Sequence, residues 1–220
     1  MTDSARNVFI VSGDVRVRCD IRRALEAHGL NTVEFETGAA YRGGPRPDGP
    51  ACLILDVVLP DMCGLGLQQE LAGKCPPVLF VSRHADVAST VRAMKAGALD
   101  FLTIPFCPDL LSSAVHAALE VDATTRAQRK RMEALRERHE RLSPRERQVM
   151  CLVVSGLLNK QVASELGISE VTVEIHRSRV MQKMGAASFA GLVRMAECLP
   201  PPRLRSHGRS PAAIFGPAGL

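Results

Sequence analysis

Ala51-Cys52-Leu53-Ile54-Leu55-Asp56 is a run of five apolar residues ended by a carboxylate, with Gly49-Pro50 before it and Pro60 soon after. A short apolar run bounded by turn residues reads as a strand buried on both faces. Asn7-Val8-Phe9-Ile10-Val11 and Pro77-Val78-Leu79-Phe80-Val81 repeat the pattern, and Asp100-Phe101-Leu102-Thr103-Ile104 and residues 31–35 add weaker versions. Helical periods fill the gaps, over residues 14–28 up to Gly29, 65–72, and 86–96 up to Gly97. Buried strands alternating with helices predict an α/β fold, a doubly wound five-stranded parallel sheet covered on both faces. In such sheets the functional groups collect at the carboxyl ends of the strands. Residues 43–50, Gly-Gly-Pro-Arg-Pro-Asp-Gly-Pro, are almost all breakers, so a loop is expected there.

The charge divides the chain. Of its 220 residues, 1–120 carry a net −3 and 121–220 a net +8. An acidic front and a basic back point to two domains, the second facing a polyanion. Seven cysteines without a CxxC pair argue against a disulfide scaffold or a zinc site and fit a reducing cytoplasm. No apolar run reaches the ~18–20 residues of a membrane helix, and no signal peptide opens the chain. The expectation is a cytoplasmic protein with no membrane contact.

The boundaries follow: a sheet domain over 1–120, a helical linker over 121–142, an all-α domain over 143–199 and a disordered tail over 200–220. The linker interleaves Arg126, Arg129, Lys130, Arg131, Arg136, Arg138 and Arg141 with Glu133, Glu137 and Glu140, the habit of an exposed helix. The all-α domain should hold four helices. Ser143-Pro144-Arg145-Glu146 is a capping box, Asn159, Ser169 and Ser188 are candidate caps, and Gly167 and Gly185 are stops. Two short helices meeting over Gly167-Ile168-Ser169 make a helix-turn-helix. On the second of them Val173, His176, Val180 and Met184 should face the core. Val171, Glu174, Ile175, Ser178 and Gln182 lie opposite, a face suited to a major groove. Lys160, Arg177, Arg179 and Lys183 are candidate phosphate clamps. A small bundle with a solvated charged face explains the same periodicity.

Motifs decide between these. Leu142-Ser143-Pro144-Arg145-Glu146-Arg147-Gln148-Val149-Met150, Gly156-Leu157-Leu158-Asn159-Lys160-Gln161-Val162-Ala163 and Ile168-Ser169-Glu170-Val171-Thr172-Val173-Glu174-Ile175-His176-Arg177 closely resemble the LuxR-type helix-turn-helix. The resemblance implies a dimer reading two half-sites of double-stranded DNA, with Glu174, Ile175 and Ser178 in base-contacting slots. Val171 and Thr172 complete the DNA-binding set. Arg179 departs from the family, which often has Asn there.

Asp56 with its Pro/Gly loop is either a turn aspartate or a phosphoacceptor. The segment resembles the receiver domain of two-component response regulators over residues 7–120. Asp56 then matches the phosphoacceptor, and Ser82 and Phe101 match the receiver switch. Residues 94–101 and Pro105-Phe106 also fit, with Ile104-Pro105 as the cis peptide. The whole chain resembles response regulators of the FixJ/NarL type, nearest to FixJ. The partners implied are a sensor histidine kinase, RNA polymerase and a second copy of the chain.

Three positions depart from the receiver pattern. Ser12 and Gly13 stand where the Mg²⁺-binding acidic pair belongs, and Ile104 replaces a lysine. Asp14 aligns with a third position that normally points away. Phosphoryl transfer relies on cations to neutralise developing charge. Hence no cofactor is expected, and phosphorylation of Asp56 is expected to be weak or dispensable. Arg83 is expected either to swing toward Asp56 or to face solvent. Cys63 and Cys107 lie on the rim and are read as buried or inert thiols rather than redox sensors. Val87, Val91 and Met94 form an apolar stripe that is either dimer face or core.

The resulting expectation is a DNA-binding transcriptional response regulator with no catalytic residues and no metal. The alternative is a phosphorylation-independent pseudo-receiver controlled by a partner protein or by redox state. An enzyme is disfavoured, because no GxGxxG, Walker loop or Ser/His/Asp set follows any strand. A helical domain that docks a protein rather than DNA is the third class.

Overall fold

The computed structural model describes residues 6–45, 48–73, 75–83 and 86–199. The tail over 200–220 lies outside the described residues. Strands β1 (Asn7–Val11), β2 (Asn31–Phe35), β3 (Ala51–Asp56), β4 (Val78–Ser82) and β5 (Asp100–Thr103) form one sheet in the order β2-β1-β3-β4-β5. Every pairing is parallel, with Leu55 beside Val11 and Phe80.

Alternation along the strands builds a core on each face. Val8, Ile10, Cys52, Ile54, Leu79 and Val81 point one way. They meet Val17, Ile21 and Leu25 of α1 (Val15–Glu26) and Leu111, Val115 and Leu119 of α5 (Pro108–Glu140). Phe9, Val11, Leu53, Leu55 and Phe80 point the other way, toward Tyr41, Leu65, Leu67 and Ala93. These last lie on α2 (Gly38–Gly43), α3 (Gly64–Glu70) and α4 (Val87–Lys95). α2 is a single six-residue stretch capped by Thr37 and anchored by buried Tyr41. The breakers end it at Gly44, where a Cβ would lie 2.5 Å from the Phe35 ring.

The α4 stripe is not core. Val87, Val91 and Met94 are 80%, 43% and 44% exposed, and only Ala93 of that helix is buried.

The chain divides into two compact units between Arg129 and Lys130. In the second, α6 (Pro144–Val154), α7 (Asn159–Leu166), α8 (Glu170–Met184) and α9 (Phe189–Glu197) are joined by the last turns of α5. Val149, Val153, Val162, Ala163 and Val173 form one core. Leu135 and Leu142 join Met150, Val180, Met184 and Leu192 in another. The Ser143 box is complete: the Ser143 amide donates to Glu146 Oε2 at 2.7 Å and the Glu146 amide to Ser143 Oγ at 3.2 Å. Gly167 and Gly185 take left-handed φ values of 64° and 67° and end α7 and α8.

Two local expectations are corrected. Asn159 does not cap α7; it is the first helical residue, and Gln161 Oε1 accepts from the Leu158 amide at 2.8 Å. Its carboxamide is claimed from elsewhere, as described below. His176 is half-buried rather than fully in the core, with its Nδ1 atom enclosed. Among the described residues, no helix is long and apolar enough to cross a membrane.

Candidate functional site

In the first unit Asp56 and Ser82 end β3 and β4 and Ser12 follows β1, all at the carboxyl edge of the sheet, while Phe101 lies within β5 beside Phe80. Asp56 Oδ2 accepts from Ser12 Oγ at 2.7 Å, and Oδ1 accepts from the Val58 amide at 3.2 Å. Ser12 is fully buried, and its carbonyl accepts from Arg18 Nη1 at 2.6 Å. A Cβ at Gly64 would lie 2.1 Å from the Asp56 carbonyl oxygen, so only glycine permits this turn. Ser82 is buried, and half-buried Phe101 stacks on Phe80 with ring centroids 6.1 Å apart. Ile104 packs against the first core and offers no charge; the Ile104-Pro105 peptide is cis.

The groups that meet the Asp56 carboxylate here are donors, the Ser12 hydroxyl on Oδ2 and the Val58 amide on Oδ1. A side chain at Gly13 has no room, because its Cβ would lie 2.6 Å from Pro60 Cγ. Asp14 is engaged too: it accepts from the Arg16 amide at 2.8 Å as the cap of α1, and from Arg83 Nη2 at 2.6 Å. The Arg16 amide, with Arg83 assisting, holds the Asp14 carboxyl below its ordinary range. Among the described residues, no group of three His, Cys, Asp or Glu is arranged to hold a metal ion.

Arg83 is exposed, the second of its two expected placements, and does not pair with Asp56; its guanidinium meets the half-exposed Asp14 carboxylate. The sequence reading misses Asp61 and Asp122. Asp61 accepts from the Gly38 and Ala39 amides at 3.0 and 2.9 Å. Buried Asp122 accepts from the Ala51 amide at 2.8 Å and from Arg126 Nε at 2.6 Å. Asp122 and Arg126 stand at the i,i+4 spacing of a helical ion pair, but no spacing signal marks the backbone amides that Asp61 and Asp122 satisfy.

In the second unit, α8 presents Val171, Glu174, Ile175, Ser178 and Arg179 to solvent; Val171 is 65% exposed and Ile175 48%. Thr172 is half-buried, its amide donating to Ser169 Oγ at 3.1 Å. Lys160 is exposed at the start of α7. The other two expected clamps are engaged within the unit. Arg177 Nη1 donates to Asn159 Oδ1 at 2.6 Å, and its guanidinium carbon lies 5.3 Å from the Phe189 ring centroid.

Lys183 Nζ donates to Glu146 Oε2 at 2.6 Å and to the Arg141 carbonyl at 3.4 Å. Lys183 and the Ser143 amide hold the 3%-exposed Glu146 carboxyl below its ordinary value. Arg138 Nη1 donates to the Met184 carbonyl at 3.2 Å and so closes the carboxyl end of α8. The charge run of the linker hides that role, since Arg138 looks like any other cation in it.

Residues 8–116 match the family described as response regulator receiver domain, and residues 140–196 match the bacterial regulatory proteins of the luxR family. The chain is 45% identical over 194 residues to nodulation protein W of Bradyrhizobium diazoefficiens, covering 87% of this chain and 86% of that protein. It is 39% identical over 201 residues to response regulator protein TodT of Pseudomonas putida strain F1, covering 90% and 88%. Among solved structures it is similar to response regulator StyR, with a TM-score of 0.80 at 39% identity, covering 88% of this chain and 98% of that one.

Proposed function

The chain belongs to the two-component response regulators with a LuxR-type DNA-binding domain, and from that premise we propose that it binds promoter DNA as a homodimer and depends little on phosphorylation of Asp56. Membership makes it a regulator of transcription with a DNA-binding domain. The finer reading concerns which residues carry the work and how the receiver is controlled.

The proposed DNA surface is the exposed side of α8. Glu174, Ile175 and Ser178 meet base edges, Val171 and Ile175 offer apolar contact to a thymine methyl, and Thr172 lies at the helix start. Lys160 and Arg179 neutralise phosphates and set affinity and salt dependence rather than sequence choice. The exposed α4 stripe of Val87, Val91 and Met94 supports homodimerisation, which suits two half-sites. A sensor histidine kinase and RNA polymerase are the proposed protein partners; neither role requires a catalytic residue in this chain.

The observation that carries the receiver reading is the Ser12–Asp56 hydrogen bond beneath a Gly13 closed by Pro60. An aspartyl phosphate here would form without an acidic pair to seat a cation and without a lysine to meet the phosphoryl oxygens. Losing such preorganised charge costs about 3 kcal/mol or more of stabilisation. Control by a partner protein follows as the second reading from the same observation.

Sedimentation and gel-shift titrations of wild type and Asp56→Asn, each with and without beryllofluoride and Mg²⁺, test both halves. The expected outcome is one operator affinity and one oligomeric state across all four conditions, with affinity falling steeply as salt rises. A tenfold gain in wild type on adding beryllofluoride and Mg²⁺, absent in Asp56→Asn, overturns the receiver reading and leaves the DNA reading standing.

A further inference from the structure

Arg177 lies on the recognition helix between the exposed positions Ile175 and Ser178, yet it is half-buried and its guanidinium is committed inside the unit. One edge donates to Asn159 Oδ1 at 2.6 Å, and the group lies over the Phe189 ring at 5.3 Å. Asn159 is the first residue of α7 and Phe189 the first of α9. A single side chain of α8 thus ties the amino ends of two other helices. Asn159 is held outside the cap position, and Lys160 follows it directly, exposed.

We propose that Arg177 is a positioning residue for DNA recognition: it latches the starts of α7 and α9 to α8, holds Lys160 in register with the exposed face of α8, and contacts no phosphate itself. The inference rests on the DNA-binding reading above. The contact suits arginine and not lysine. A planar guanidinium donates along its edge while its face meets a ring, whereas an ammonium is a point charge without that plane.

The distinction is measurable because a latch and a phosphate clamp respond differently to charge-preserving substitution. The full-length chain is titrated with promoter DNA across a salt series, as wild type and as Arg177→Ala, Arg177→Lys, Asn159→Ala and Lys160→Ala, with thermal melting of each. Both Arg177 variants should lose about tenfold in affinity, the size of a lost specific contact, while keeping the wild-type salt slope and folding normally. Asn159→Ala should lose affinity in the same sense, and Arg177→Ala combined with Asn159→Ala should be no worse than the weaker single variant, because the two act as one contact. Lys160→Ala should instead lower the salt slope by about one.

If Arg177→Ala lowers the slope by about one and Arg177→Lys restores affinity, Arg177 is a phosphate clamp and the latch is wrong. Unchanged affinity in Arg177→Lys and Asn159→Ala also overturns it, and these two variants decide the matter should Arg177→Ala fail to fold. A wild-type chain that ignores every promoter fragment at low salt brings down the DNA reading, and the latch with it; the other outcomes bring down the latch alone.

Discussion

Glu146 shows how a single residue serves two structures at once. Its carboxylate closes the capping box on the Ser143 amide and accepts from Lys183 at 2.6 Å. Lys183 holds the folded pKa below the ordinary value of 4.5. The pairing therefore stabilises the second unit fully above that value and is lost as pH falls through the lower folded pKa. Glu146→Gln should lower stability at neutral pH by about 1–2 kcal/mol, moderated by the partial exposure of Lys183. It should also flatten the decline of wild-type stability below about pH 4.5, as thermal melts across pH would read. In the other unit, Gly13→Ala should cost about 1–3 kcal/mol in urea unfolding through overpacking on Pro60. The same change in a Pro60→Ala background should cost less. An equal cost in both backgrounds would mean that Pro60 is not what closes the seat.

At the scale of elements, helices are fixed by single residues at their ends and along their faces. The αL turn at Gly185 holds the last turn of α8, and the Cβ of any other residue there would lie 3.0 Å from Arg138 Nη1. Gly185→Ala should therefore destabilise the unit by about 1 kcal/mol or somewhat more. α5 is fixed at β3 by Asp122, whose carboxylate satisfies the Ala51 amide. Asp122→Ala strands that buried N–H and should cost about 1–3 kcal/mol, read as a lowered midpoint for the first unit. The helix-turn-helix elements were legible because Ser169, Gly167 and the 3.6-residue stripe act within one or two turns. The Asn159 cap was misread for the same reason: its chemistry suited a cap, but its partner is Arg177, eighteen residues on.

For the molecule as a whole, the proposed homodimer bears on operator affinity, since two half-sites bound together would exceed either alone. Val91→Glu, placing charge in the exposed α4 stripe, should shift sedimentation toward monomer and weaken operator binding by about tenfold or more. A variant that stays dimeric would remove this stripe from the interface.

The amino-acid sequence by itself determined the sheet, the helices α1, α3 and α4 beside it and the helix-turn-helix, because hydrophobic periods, caps and glycine stops are local and additive along the chain. It also places Ser12, Gly13 and Ile104 where the receiver resemblance leads one to expect an acidic pair and a lysine. What tertiary structure alone decided is the allocation of charge: Arg83 to Asp14, Lys183 to Glu146, Arg177 to Asn159, Asp122 to the Ala51 amide. An ion pair or hydrogen bond is set by distance in space, and a chain written in order gives equal cations no means of showing which one folds back against a carboxylate and which one is left facing water.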